Sequence, residues 1–386
     1  MTATTTPWRE LAHHLADEMA ADGVLQSPAW RDAVEATPRH MFVPRFYVQQ
    51  QDGQWTETSA DDDEWLAAVY RNEPLVTDLA TTTNGNRVTV SSSTKPGLMV
   101  RMLEALDVRD EHRVLEIGTG TGYNVALLTH RLGDDRVFSV DIGAALVDAA
   151  RSRLTELGLT PTLAATHGAE GFPAHAPFDR IIATCSLPAV PWAWAEQMRE
   201  GGLVLVDVKP STHAGNLALL TRHPDRLEGR FLPRWAGFMA MRDADLAPEV
   251  VSVVEDVNTG NRSSTRREPT PWSSLVPWFL VQARMPGEVA FGYRGATGQG
   301  PEWAVFSTPD GSWSAVRVQP DENGEREVRQ GGPMPLWDAF EATHETWDNL
   351  GQPNWDRLGL TVTPDGRHAV WLDEPDGEVS WSLLPR

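Results

Sequence analysis

Cysteine is almost missing from this chain: Cys185 is the only one in 386 residues. That excludes a disulfide framework and any cysteine-based zinc site. No apolar run approaches the roughly 20 residues that span a bilayer, and no basic-plus-apolar secretion signal opens the sequence. A soluble, cytoplasmic protein is expected. Positive charge is scarce too, with 33 Lys+Arg against 54 Asp+Glu and a formal net charge of -21. Such a field repels phosphate backbones and anionic lipid, so neither nucleic acid nor a membrane is expected as a partner. The run Asp61-Asp62-Asp63-Glu64 lacks EF-hand spacing and reads as a solvated loop, and no metal site is expected.

Glycine, by contrast, is concentrated where it matters. In Val114-Leu115-Glu116-Ile117-Gly118-Thr119-Gly120-Thr121-Gly122-Tyr123-Asn124 an apolar run stops at an acid and breaks into three glycines at alternate positions. This reads as a strand, a tight turn and the start of a helix over 124–132. Gly118, Gly120 and Gly122 permit φ > 0 and leave no Cβ in the way of a ligand, and the helix N-terminus adds amide donors. The G-x-G-x-G spacing lacks the pyrophosphate-seating G-x-x-G of dinucleotide sites, and no Gly-Lys-Ser/Thr of a phosphate loop follows. The next strand ends at Asp141, nineteen residues past Gly122, where a carboxylate can accept both hydroxyls of a ribose. A glycine turn and a ribose acid without a phosphate site fit S-adenosylmethionine; a chance glycine-rich loop in another α/β fold is the alternative. The expected cofactor contacts are Glu116, Gly118, Thr119, Gly120, Thr121, Gly122, Asp141 and Ile142. His167 and Gly168, in a turn after the following strand, are expected beside the adenine, because loops at the carboxyl ends of parallel strands form the crevice.

Residues 8–44 read as a pair of amphipathic helices ending in a turn bracketed by Pro38 and Pro44, and 49–65 as a polar loop. The row Ser91-Ser92-Ser93-Thr94 precedes a helix over 96–106 with Pro96 in its first turn. Ser93 or Thr94 can cap that helix, or the row can hold a substrate carboxylate or the cofactor's methionine end. Ser93 and Thr94 are the catalytic candidates, Ser91 and Ser92 cofactor contacts. Strands and helices alternate through 110–210, with a helix over 191–200, which is the pattern of a doubly wound parallel sheet. Cys185 reads as a small packing residue, since no neighbouring group argues for a lowered thiol pKa.

These residues resemble the protein-L-isoaspartate (D-aspartate) O-methyltransferase family, a branch of the Rossmann-like class I methyltransferases. The likeness covers roughly 8–240 and is carried by Arg39-His40-Met41-Phe42-Val43-Pro44, Ser93-Thr94-Lys95-Pro96, the glycine motif, and Pro177-Phe178-Asp179-Arg180-Ile181-Ile182-Ala183-Thr184. Phe231-Leu232-Pro233-Arg234-Trp235-Ala236-Gly237 is similar to the family's closing strand. The resemblance implies an α/β fold, S-adenosylmethionine as methyl donor with S-adenosylhomocysteine as product, and an aspartate-derived carboxylate as acceptor. Two departures stand out: Thr94 where the family has serine, and His167-Gly168 where it has an Asp-Gly type turn.

The chain continues well beyond the usual length of that family. A methyltransferase domain over 1–244 (N-terminal helices 1–80, core 84–244), a linker over 245–271 and a smaller α+β domain over 272–386 are expected. Nine of the sixteen tryptophans fall between Trp272 and Trp381, and Pro-Asp-Gly recurs at 309–311, 364–366 and 375–377 as turns between short strands. One helix is expected over 334–350. The tryptophans read as core and as contact with the first domain, or as a peptide-binding surface. Residues 321–386 carry 14 acidic and 5 basic residues, which either attracts a cationic peptide or serves solubility.

This extended layout resembles the methyltransferases of ribosomally made peptides such as graspetides, lanthipeptides and lasso peptides. That implies methylation of an Asp side chain in a macrocyclised precursor, leading to an aspartimide or isoaspartate. General repair of isoaspartyl proteins is the alternative reading, and a weakly catalytic, cofactor-binding scaffold for peptides the second. A monomer is expected.

Overall fold

The computed structural model describes residues 7–82, 85–243, 260–295 and 300–383. At its centre lies the strand Val114–Ile117, with all four residues buried. A strand covered on both faces has no polar side, which is why three of the four are apolar. Val137–Asp141 and then Thr162–Ala165 run parallel to it on one side, Phe178–Leu187 and Met198–Ser211 on the other. Tyr123–Leu132 and Ala144–Glu156 are the helices that connect the first three. Strand order reverses at Val114–Ile117, so the crevice of a doubly wound sheet opens at its carboxyl end. The expected doubly wound α/β architecture is present.

The sheet does not end there. It continues antiparallel through Ala214–Arg222, Leu227–Phe231, Leu358–Val362, His368–Leu372 and Ser380–Leu383, to ten strands. The last three come from the region expected to form a separate domain. Leu358, Leu360, Val362 and Val370 join the same buried cluster as Ile117, Val204 and Val206. Alternate apolar positions of these strands therefore complete the first core, so the C-terminal region adds to this sheet as well as forming one of its own.

The rest of the C-terminal region forms a five-stranded antiparallel sheet in the order Asn261–Thr265, Arg326–Gly331, Trp313–Arg317, Trp303–Ser307, Ala290–Arg294. Asn261–Thr265 falls within the expected linker, whose residues 245–259 lie outside those described. Helix Leu336–Asn349 packs on this sheet through Trp337 and Phe340. The short helix Leu275–Val281 is buried on nearly every side because it joins the two layers: Phe279 stacks against Phe231 at 5.1 Å and Trp355 at 5.3 Å, while Trp278 faces Phe306 and Phe340. Six of the nine C-terminal tryptophans are buried, and none is among the exposed large apolar side chains of the described residues. They are core.

Two further differences concern the first half. Residues 55–59 form a strand rather than a loop, pairing with Arg45–Gln49 at the edge of a small antiparallel sheet completed by Leu75–Thr81 and Arg87–Ser93. An edge strand facing solvent needs no apolar alternation, so Trp-Thr-Glu-Thr-Ser gave no sign of it. Of the helix expected over 191–200 only Trp192–Glu196 is helical, because Met198 already pairs with Phe178.

Candidate active site

A cavity of about 940 Å³ opens at the carboxyl end of the parallel strands. It is walled by the glycine turn, the hydroxyl row and the segment 234–243. The expected closing strand over 231–237 runs into that last stretch, but the strand ends at Phe231 and the chain from 234 onward lines the cavity.

The turn is held from two sides. Gly118 has φ +99, and a Cβ there would meet Thr184 Oγ1 at 2.7 Å, so a side chain is excluded on both counts. Its N–H donates to Val140 O at 2.8 Å. The Gly120 N–H donates to Asp141 Oδ2 at 2.9 Å and the Gly143 N–H to Oδ1 at 3.0 Å, fixing the expected ribose acid against the turn. Gly122 points away from the cavity: a Cβ there would meet Ala150 and Phe42, so its part is packing.

Glu116 is 1% exposed. It accepts from Asn124 Nδ2 and from Ser139 Oγ, both at 2.7 Å, and Ser139 Oγ in turn lies 2.7 Å from Thr119 Oγ1. This network ties strand, turn and helix together. Burial pushes the Glu116 carboxyl up to about 7, against the two hydrogen bonds that favour its ionised form, and Asp141 adds repulsion. Asn124 Oδ1 is buried and has no hydrogen-bond partner among the described residues.

The hydroxyl row divides by strand alternation. Ser91 and Ser93 are buried, Ser91 Oγ accepting from Thr77 Oγ1 at 3.1 Å and Ser93 Oγ taking a long 3.5 Å bond from Arg39. Ser92 and Thr94 are half-buried and line the cavity, and Thr94 Oγ1 makes no hydrogen bond among the described residues. Neither Ser93 nor Thr94 caps the helix Pro96–Ala105. Asn72 does that from another segment, its Oδ1 accepting the Gly97 N–H at 2.8 Å. The capping reading of the row therefore fails, and Thr94 keeps a free hydroxyl beside the turn.

Arg39 is the residue whose part sequence reasoning missed. It is fully buried and donates to the carbonyls of Arg71, Glu73 and Thr94 at 3.0, 3.1 and 3.4 Å, and to that of Val69. Its cation also lies over the Tyr123 ring, 5.7 Å from the centroid. Burial lowers its pKa to about 10. The only sign of this in the sequence is its place in the Arg-His-Met-Phe-Val-Pro segment.

Glu116, Gly118, Thr119, Gly120, Thr121, Asp141, Ile142, Gly168 and the four hydroxyl residues all line the one cavity. His167 does not. Its Nδ1 accepts the Ala169 N–H at 3.2 Å, and its Nε2 lies 3.5 Å from Asp243, so it shapes the turn that presents Gly168. Cys185 borders the cavity as packing, its thiol pushed up to about 12 by burial.

The pocket suits an adenosyl amino acid. Asp141 keeps acceptor capacity after its two backbone bonds, Asn124 Oδ1 is an unanswered acceptor, and at Gly120 the nearest atom to a Cβ would be Ser92 O at 4.0 Å. Among the described residues no group of three or more His, Cys, Asp or Glu could hold a metal ion, and no helix is long and apolar enough to cross a membrane.

Residues 10–230 match the family described as protein-L-isoaspartate(D-aspartate) O-methyltransferase. A protein-L-isoaspartate O-methyltransferase of Methylorubrum populi is 34% identical over 219 residues, covering 57% of this chain and 89% of that protein. One from Methylorubrum extorquens is 33% identical over 213 residues, covering 55% and 80%. A solved structure bearing the same name superposes with a TM-score of 0.53 at 20% identity, covering 94% of this chain and all of that one. Its fold thus includes a C-terminal extension of this kind.

Proposed function

This chain belongs to the protein-L-isoaspartate(D-aspartate) O-methyltransferase family of S-adenosylmethionine-dependent enzymes, and we propose that it methylates the free carboxylate of an isoaspartyl residue in a peptide or unfolded protein. The observation that carries this reading is the free Thr94 hydroxyl on the wall of the cofactor crevice, relieved of capping by Asn72.

The acceptor needs no base, because an α-carboxyl with an unperturbed pKa of about 3.5 is already ionised at neutral pH. What the protein must do is strip water from that carboxylate and hold it. Thr94 Oγ–H donates to one oxygen and leaves the other free to react. Arg39 fixes the Thr94 main chain and, as a buried cation without an acidic partner, favours an anion nearby. Asp141, held by the Gly120 and Gly143 amides, and Asn124, held by Glu116, would hold the cofactor. S-adenosylmethionine, when bound, would supply an electrophilic methyl group, which a carboxylate oxygen would take as the C–S bond gave way, leaving a methyl ester and S-adenosylhomocysteine with no net proton transfer. The amide nitrogen of the next residue can then attack the ester carbonyl and expel methanol, closing a five-membered imide.

Methylation of an ordinary Asp in a macrocyclised ribosomal peptide rested on the extra C-terminal region. A structure named protein-L-isoaspartate O-methyltransferase covers 94% of this chain, so such an extension does not favour peptide maturation over isoaspartyl methylation. The test is methyl transfer to an isoaspartyl peptide, its aspartyl twin and a macrocyclic Asp peptide. At least tenfold higher kcat/KM on the isoaspartyl peptide is expected. Turnover of the macrocycle alone would overturn the proposal, and thermal stabilisation by S-adenosylhomocysteine without turnover of any carboxylate would leave only a scaffold.

A further inference from the structure

The rim of the cavity carries two cations with no acidic partner among the described residues. Arg101 projects from the same face of Pro96–Ala105 as Gly97 and Leu98, which also line the cavity. One of its terminal nitrogens donates to Trp235 O at 3.4 Å, and its Nε is buried without a partner. Arg234, the residue before Trp235, is exposed and lines the same cavity. Neither arginine makes an ion pair among the described residues. Burial lowers the Arg101 pKa, and the Arg234 charge lowers it further.

In a chain with 54 acidic and 33 basic residues this is an unusual economy, since two like charges close enough to repel border one cavity where an acid would relieve both. The acids of the cavity are engaged elsewhere: Asp141 holds backbone amides, Glu116 holds Asn124 and Ser139, and Asp243 faces His167. Asp22 borders the cavity and pairs with neither arginine. Beside the two cations stand Trp235 and Met239, 40% and 39% exposed, among the few large apolar side chains left open to solvent. The Trp235 indole is pinned by its Nε1 donating to Gly215 O at 2.9 Å. An apolar shelf next to two arginine side chains on one cavity rim suits an extended peptide bearing an anion.

We propose that Arg101 and Arg234 bind a second carboxylate of the acceptor peptide, two or three residues from the one that is methylated, while the intervening main chain crosses Trp235. The proposal rests on the carboxyl-methylating reading of the site. Arg101 stands five residues, about 7.5 Å, along the helix from Pro96. An extended peptide advances about 7 Å over two residues and about 10 Å over three, lengths of the same order as that rise. The second carboxylate is an acidic side chain or the peptide's own C-terminus. The net charge of -21 would by itself disfavour acidic peptides, so a preference for them has the opposite sign from the bulk field.

The test uses isoaspartyl peptides with Glu, Gln or Lys at the second and third positions on either side, each with a free and an amidated C-terminus. With the full-length protein at low ionic strength, the Glu peptide is expected to show kcat/KM about tenfold above the Gln peptide, mostly through KM, with the Lys peptide lowest. A preference seen only with a free C-terminus assigns the carboxylate to the chain end. Arg234→Glu should invert the order, and Arg101→Gln should abolish it, with S-adenosylhomocysteine affinity and melting temperature reporting that the fold is intact. Equal kcat/KM for all peptides, or an order unchanged in Arg234→Glu, would overturn the proposal. If no peptide is methylated, the functional reading fails separately. Binding of the Glu and Gln peptides to the S-adenosylhomocysteine-loaded protein then decides, and equal affinities refute the pair.

Discussion

The glycine turn over 118–122 and the C-terminal strands over 358–383 belong to one sheet, yet they are built on different terms. The turn is a cradle in which each side chain is dictated by what must fit against it: Gly118 by Thr184, Asp141 by two backbone amides, Glu116 by Asn124 and Ser139. The C-terminal strands need only alternate apolar residues and turns, and their partner is a strand more than a hundred residues earlier. A site is specified by chemistry at fixed spacing, whereas an edge extension is specified by burial alone.

If the two regions share one core, the largest effect should come from their joint. Phe279→Ala removes a fully buried ring from between Phe231 and Trp355 and should cost about 3–5 kcal/mol. Denaturant unfolding should remain a single transition with a lower midpoint. Two separated transitions would break the comparison and restore an independent C-terminal domain.

At the turn, the expected losses are of function rather than of stability. Gly118→Ala places a methyl 2.7 Å from Thr184 Oγ1 on a φ of +99, and should lower S-adenosylhomocysteine affinity at least a hundredfold by titration calorimetry. Gly359→Ala is its counterpart in the extension, where a Cβ would meet the Trp371 ring at 2.1 Å. That variant should melt earlier by an overpacking cost of about 1–3 kcal/mol and bind the product with unchanged affinity.

Thr94→Val keeps the shape and removes the donor, so kcat should fall roughly 10–100-fold with donor affinity unchanged. Thr94→Ser should retain most of the rate. Equal kcat for the valine variant and the parent would remove Thr94 from the chemistry.

The smallest effect is a pH slope confined to the cradle. Burial holds the Glu116 carboxyl at about 7 in the folded protein, above its ordinary 4.5, so the native state holds the extra proton between these values. Stability is therefore greatest below that window and declines as pH rises through about 7. Between pH 6 and 8 the loss from this group is about 1 kcal/mol. Asp207, raised to about 6 by burial, adds a slope of the same sign at lower pH. Glu116→Gln should flatten the decline in thermal melting while leaving the Asp207 part in place. An undiminished slope would show that Glu116 is ionised throughout.

Much of the site was legible in the residues themselves. The glycines, Asp141 and the hydroxyl row stand within short segments whose spacing states what they must approach. Arg39 and Asn72 were not legible, because each acts on main-chain atoms far along the chain: Arg39 on Val69 to Thr94, Asn72 on Gly97. His167 was misplaced because its neighbour Gly168, lacking a side chain, is the one that borders the cavity. The segment after Phe231 was read as strand from its likeness to a family motif, and nothing local marked Arg234 and Trp235 as the rim of a pocket.

From the order of amino acids alone came the alternation of strands and helices, the cofactor turn and the acid that faces it, because those depend on contacts between near neighbours and on backbone angles that few residues allow. Tertiary structure decided which hydroxyl is free, which sheet the last strands join and which two arginines border the same cavity. Those outcomes turn on hydrogen-bond and packing partners brought together across long stretches of chain, and no short window of sequence contains both members of such a pair.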